Sequence, residues 1–122
     1  MRPTELRAQC LTFPGVAETF PFGPETSVFK VEGKMFALSR LKQTPLSVSL
    51  KCEPLLAEQL RKAHPSVLPG YHLNKRHWNT VIIDGSLPDH TIKDMIEDSY
   101  DLILSRLPEA KRRALGWQPA GA

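Results

Sequence analysis

Three short β-type runs separated by two tight turn signals, between Thr26 and Cys52, constrain the fold of this chain more than any other feature. The first run, Thr26 to Val31, carries Val28, Phe29 and Val31. Glu32-Gly33 then supplies a two-residue hairpin connection. Lys34 to Leu41 forms the second run, and Gln43-Thr44-Pro45 turns the chain again. The third, Leu46 to Cys52, alternates cleanly: Leu46, Val48, Leu50 and Cys52 on one side, Ser47, Ser49 and Lys51 on the other. Period-two alternation predicts one buried and one wet face. The stretch therefore reads as a three-stranded antiparallel meander.

Helical segments surround the meander. Thr4 to Leu11 reads as a short first helix ended by Pro14-Gly15. Phe20-Pro21-Phe22-Gly23-Pro24 blocks regular structure and reads as a rigid loop with its aromatic rings turned inward. Pro54 suits the first turn of a second helix, which runs to about Ala63 with Leu56, Leu60 and Ala63 as its apolar stripe. Residues 66–74 read as irregular, and Trp78 to Asp84 as a fourth strand. The longest helix opens at Pro88-Asp89 and runs to about Leu107, with a stripe of Ile92, Met95, Ile96, Ser99, Ile103 and Leu107. After Pro108, Glu109 to Leu115 gives a weak, basic last turn or two, and residues 116–122 read as a flexible tail. The order α-βββ-α-β-α predicts an α+β fold of two layers, an antiparallel sheet with helices packed on one face. A single domain over residues 1–115 follows from the length of 122 residues.

Charge is distributed unevenly. Residues 1–83 carry 11 Lys/Arg against 6 Asp/Glu, whereas residues 84–104 carry Lys93 against Asp84, Asp89, Asp94, Glu97, Asp98 and Asp101. A basic body thus meets one acidic helix. Asp84, Asp89 and Asp94 lie near that helix's start, where carboxylates suit the helix dipole. The stripe Asp94-Glu97-Asp98-Asp101 reads as a solvated face. With no membrane-length apolar run and no apolar leader, the expected location is the cytoplasm.

Several chemistries lack their residues. Cys10 and Cys52 are far apart with no CxxC spacing, and His64, His72, His77 and His90 show no HxxxH pair, so no metal site is expected and two free thiols are. No GxSxG, GxxxxGK[ST] or GxGxxG is present. A binding module without cofactor, not an enzyme, is the expectation.

The binding candidates gather in two places. Asn74-Lys75-Arg76-His77-Trp78 combines cations for phosphates, neutral donors, and a ring able to stack on a base. Its alternative reading makes Trp78 a buried anchor at the strand start. Lys30, Lys34, Arg40 and Lys51 lie on the meander, where a shared exposed face would make a basic sheet surface. Nucleic acid, with DNA first, is the candidate partner, and a monomer or weak homodimer the expected state. A second reading places a small ligand or protein partner in a pocket between the Phe20-Pro21-Phe22-Gly23 loop and His77-Trp78.

Specific residues also carry a family resemblance. Cys10-Leu11 leading to Pro14-Gly15, then Phe20-Pro21-Phe22-Gly23 and Gly33-Lys34-Met35-Phe36, resemble the opening of MmcQ/YjbR-type proteins. So do Pro69-Gly70-Tyr71, Asn74-Lys75 with His77-Trp78-Asn79, Asp84-Gly85 before Pro88, and Ser99-Tyr100. The resemblance spans roughly residues 5–113. It implies a double-wing α+β fold for which DNA binding has been proposed, with no cofactor and no catalytic residue.

Overall fold

The computed structural model describes residues 1–118. Its element order is α1 (Pro3–Leu11), β1 (Val16–Thr19), β2 (Ser27–Val31), β3 (Lys34–Ser39), β4 (Ser47–Lys51), α2 (Pro54–Ala63), β5 (Val67–Pro69), β6 (Trp78–Ile82), α3 (Asp89–Leu104) and α4 (Glu109–Ala114). The strands form one antiparallel sheet in the order β1-β2-β3-β4-β6-β5. The expected α+β class and the meander stand, and two short edge strands are added.

Both added strands are too short to show a period. Val16–Thr19 runs alongside β2, and the Thr19 hydroxyl donates to the Val28 carbonyl. Val67–Pro69 lies on the opposite edge, where Pro69 lacks only an amide that no neighbouring strand needs. The Glu32-Gly33 connection behaves as expected, with both residues at positive φ (51° and 73°), as a two-residue hairpin turn of the primed type requires.

The core lies on one face of the sheet. Phe29, Val31, Val48, Leu50 and Val81 meet Leu6 and Cys10 of α1 and Ile92, Ile96, Ile103 and Leu104 of α3. The register of β2 and β3 shifts between Phe29 and Lys30, which leaves both Phe36 and Ala37 fully buried. Phe13, Phe36 and Tyr100 form an aromatic cluster, and the Tyr100 hydroxyl donates to the Pro14 carbonyl at 2.8 Å. That bond ties the turn after α1 to α3, with the Pro14 backbone as acceptor and Tyr100 as donor.

Four expectations need correction. The helix α3 stops at Leu104, because Pro108 disfavours helical geometry at Leu107, and the last turn tightens through Arg106 to Ile103 and Leu107 to Leu104 bonds. The outer face of β4 is not uniformly wet. Ser49 is buried, sharing a 2.8 Å hydrogen bond with Thr80, whose hydroxyl also accepts the Tyr71 amide of the returning loop. Phe20 and Phe22 are turned outward, 51% and 65% exposed, because Pro21 and Pro24 leave their loop unable to fold back on the sheet. Finally, the start of the supposed tail is held down. Trp117 donates its backbone amide to Arg112 and its indole N–H to Asp101 at 2.7 Å, while residues 119–122 of that tail lie outside the described residues.

Candidate functional site

Strand register decides which cations share a surface. Lys30 precedes the β2–β3 turn by two residues, Lys34 follows it, and Lys51 ends β4 opposite Trp78 at the start of β6. These positions, with Lys75 and Arg76 just before Trp78, lie at one end of the sheet. Arg40 does not join them. It follows the last residue of β3, about 20 Å from Lys34 at ~3.3 Å per residue. The long way across the sheet removes it from any common footprint with the other cations.

The acids at this end already have partners. Glu32, at the hairpin tip, pairs with Lys111 of α4 at 3.4 Å, and Glu53, just after β4, pairs with Arg106 at 3.5 Å. Among the described residues Lys30, Lys34, Lys51 and Arg76 have no acidic partner within ion-pair distance. The crowding registers at Lys51: burial pushes its ammonium below the ordinary lysine value, and Arg106 and Lys34 push it further. The Glu32 pair also draws the basic α4 turn, with Arg112 and Arg113, toward the same end, a link no linear pattern conveys.

The 74–79 segment divides into structural and exposed members. Asn74 is exposed, but its side-chain oxygen accepts the Arg76 amide at 2.9 Å and closes a local turn. Lys75 turns its ammonium onto the Gly70 carbonyl at 3.2 Å. His77 is half-buried, with its backbone carbonyl accepting the Cys52 amide. Trp78 is only 8% exposed and lies on the face opposite the helices by strand alternation, since Asn79 and Val81 face the helices. Its ring is closed to base stacking, because stacking requires a free face. Asn79 is likewise structural: its amide donates to the Ala57 carbonyl and its oxygen accepts Arg61, which ties α2 to β6. The exposed ring at this end is Tyr71, 71% exposed, beside His72 with ring centroids 4.0 Å apart. His72 has φ of 57°, a conformation rare for a residue with a side chain. Tyr71 lies just outside the 74–78 run of binding candidates, and nothing in the local sequence pattern marks its exposure.

The pocket expected between the Phe20-Gly23 loop and His77-Trp78 is not formed. That loop leaves the Thr19 end of edge strand β1, whereas His77 precedes the far end of β6, with β2, β3 and β4 between them.

A different hollow exists on the helix side. Helix α2 lies over β5 and β6 and α3 over β3 and β4, and between them opens a groove of about 380 Å³. Its floor is Leu50, Val67 and Val81. The α2 stripe borders it: Ala57 is the buried residue of α2, Leu60 is half-buried against the core, and Leu56 is 41% exposed at the groove. Met95 and Leu102 form the α3 wall, and Cys52, Asp98, Asp101 and Trp117 stand around it. Asp94, Glu97 and Asp98 are exposed, as a solvated face requires, while Asp98 and the half-buried Asp101 also border the hollow. Cys10 and Cys52 are free thiols, Cys10 in the core, with burial pushing its thiol up to about 12. Burial also raises Cys52, with Asp98 and Glu53 adding to it.

Among the described residues no helix is long and apolar enough to cross a membrane. The chain resembles proteins known by sequence and structure along almost its whole length. The uncharacterised protein YjbR of Escherichia coli K12 is 41% identical over 115 residues, covering 94% of this chain and 98% of that protein. The uncharacterised YbdF of Escherichia coli O157:H7 is 40% identical over 103 residues, 84% of this chain and 82% of YbdF. The crystal structure of the Deinococcus radiodurans protein DR2400, a DUF419 domain, matches with TM-score 0.90 at 42% identity, covering 98% of this chain and 93% of that one. A Pseudomonas syringae protein matches with TM-score 0.73 at 28% identity, covering 84% and 98%. The YjbR family model matches residues 11–102, and the chain belongs to the YjbR family.

Proposed function

We propose that this domain binds nucleic acid, DNA first, through the phosphate backbone at the hairpin end of its sheet. The observation that carries the reading is the pairing pattern there: Glu32 and Glu53 are engaged by Lys111 and Arg106, while among the described residues Lys30, Lys34, Lys51 and Arg76 form no ion pair. Crowded cations repel one another, and a polyanion relieves that repulsion while releasing its own counterions. With Trp78 closed and Asn74 held in its turn, contacts to the backbone dominate over contacts to bases. Tyr71 is the ring available to an unpaired base.

The test is fluorescence anisotropy with a labelled duplex and a labelled single strand across a salt series. With roughly one phosphate neutralised per free cation, the slope of log affinity against log salt for duplex is about −3 to −4. Absence of binding at micromolar protein in 50 mM salt, or a slope near zero, overturns the reading.

A further inference from the structure

We infer that the groove between α2 and α3 is a binding site for a small organic cation, an amine carrying an apolar body. Its volume of about 380 Å³ lies in the range of small-molecule sites. The inference does not rest on nucleic-acid binding, although Lys51 of the hairpin end also lines the groove.

Two observations select the ligand class. The first is the unspent apolar surface. An amphipathic helix ordinarily lays its stripe on the core, yet Leu56 of α2 is 41% exposed and borders the groove with Leu102 of α3, above Leu60 and Met95, which pack against the core and line the groove as well. An apolar body inserted there removes both walls from water at once, and the driving force grows with the area covered.

The second is the charge at the rim. Glu53 is paired with Arg106, and Asp101 accepts the Trp117 indole N–H. Among the described residues Asp98 has neither an ion pair nor a hydrogen bond to its side chain. Its carboxyl also lies above the ordinary aspartate value, through burial first and then through Asp101 and Asp94. An ammonium head at Asp98 supplies the missing opposite charge. A carboxylate head would have Lys51 as its one lining cation against Glu53, Asp98 and Asp101, and a wholly neutral ligand would leave Asp98 without an opposite charge.

The test uses three probes of one shape: 2-phenylethylammonium, 2-phenylethanol and 3-phenylpropanoate. Each is titrated into the full chain and followed by the methyl NMR signals of Leu56, Leu60 and Met95, with protection of the Cys52 thiol from iodoacetamide as a second readout. Cys10 is fully buried, so alkylation of the folded protein reports on Cys52. The expected result is that the ammonium probe shifts these methyl signals, slows alkylation, and binds about fivefold more tightly than the alcohol. Asp98→Asn, an exposed change that leaves the walls intact, brings the two probes level. The inference is overturned if the alcohol matches the ammonium in the unsubstituted protein. It is equally overturned if the carboxylate binds best, or if no probe moves the groove methyl signals at millimolar concentration.

Discussion

The Ser99 hydroxyl donates to the Phe36 carbonyl at 2.6 Å while accepting the Lys51 amide at 2.9 Å. The β3–β4 ladder consists of Ala37↔Leu50 and Leu38↔Ser49, and it stops where the register shift displaces Phe36. A helix side chain thus completes a sheet hydrogen-bond pair that the strands themselves leave open. It fixes the position of Lys51 within the cationic end. Ser99→Ala leaves a buried carbonyl and an amide without partners, so it costs about 1–3 kcal/mol in urea denaturation. A loss below about 0.5 kcal/mol would show that the two strands close on each other unaided.

Gly70 is held by steric contact with Trp78. A Cβ at Gly70 would lie 2.7 Å from the Trp78 Cβ and 3.0 Å from its carbonyl oxygen, which already accepts the Gly70 amide. Strand backbone cannot yield as a side-chain tip can. Gly70→Ala therefore separates β5 from β6 and exposes the Trp78 ring, at a cost of about 1–3 kcal/mol. The expected readout is a lowered Tm with red-shifted tryptophan emission. An unchanged Tm would mean that the edge strand β5 moves away freely.

Legibility in the sequence followed the physical length of the signal. The meander was readable because Leu46 to Cys52 alternates over seven positions and Glu32-Gly33 fits one turn type. Strands β1 and β5 were not, since four and three residues borrow their conformation from a neighbour rather than specifying it. Adjacency groups Lys75 with Arg76 and strand position groups Lys30, Lys34, Arg40 and Lys51, but Arg40 looks equivalent to the other three because parity ignores which end of a strand a residue occupies. The groove was invisible for a related reason. A stripe of Leu56 and Leu60 announces an apolar face without saying whether the core or an opening covers it. The residues behind the family resemblance mostly serve the fold, as Tyr100, Ser99, Trp78 and Gly70 show.

Asp98 gives a pH-dependent stability with a definite sign. Its folded carboxyl lies above the ordinary value of 3.8 through burial, then Asp101 and Asp94 on the same helix. Lys51, Cys52 and Glu53 are the titratable groups that line the groove outside α3, and Arg61 of α2 is a cation acting on Cys52. The folded state thus holds this proton more tightly than the unfolded chain does. Stability contributed by the site is complete below 3.8 and falls as pH rises through the folded value, staying reduced above it. Asp98→Asn removes the penalty, so its Tm exceeds that of the parent at pH 7 and converges with it near pH 3. A variant less stable at pH 7 would mean that Asp98 has a favourable partner in the folded state.

The two ends of the sheet make opposite predictions for nucleic-acid binding. Lys34 is close enough to Lys51 to lower its ammonium further after burial and Arg106, whereas Arg40 stands beyond the other end of β3. Counterion release counts the cations that touch phosphates, so removing one reduces the salt slope by about 0.9 for duplex and weakens all sequences alike. Lys51→Gln and Lys34→Gln are each expected to produce that change, with the fold retained, because both remove like-charge repulsion rather than an ion pair. Arg40→Gln is expected to leave both slope and affinity at parental values. Anisotropy titrations of the three variants over 50–200 mM salt decide the matter. Equal losses for Arg40 and Lys51 would mean that binding samples the whole basic surface without a defined footprint, whereas a loss at Arg40 alone would transfer the interface to the opposite end of the sheet.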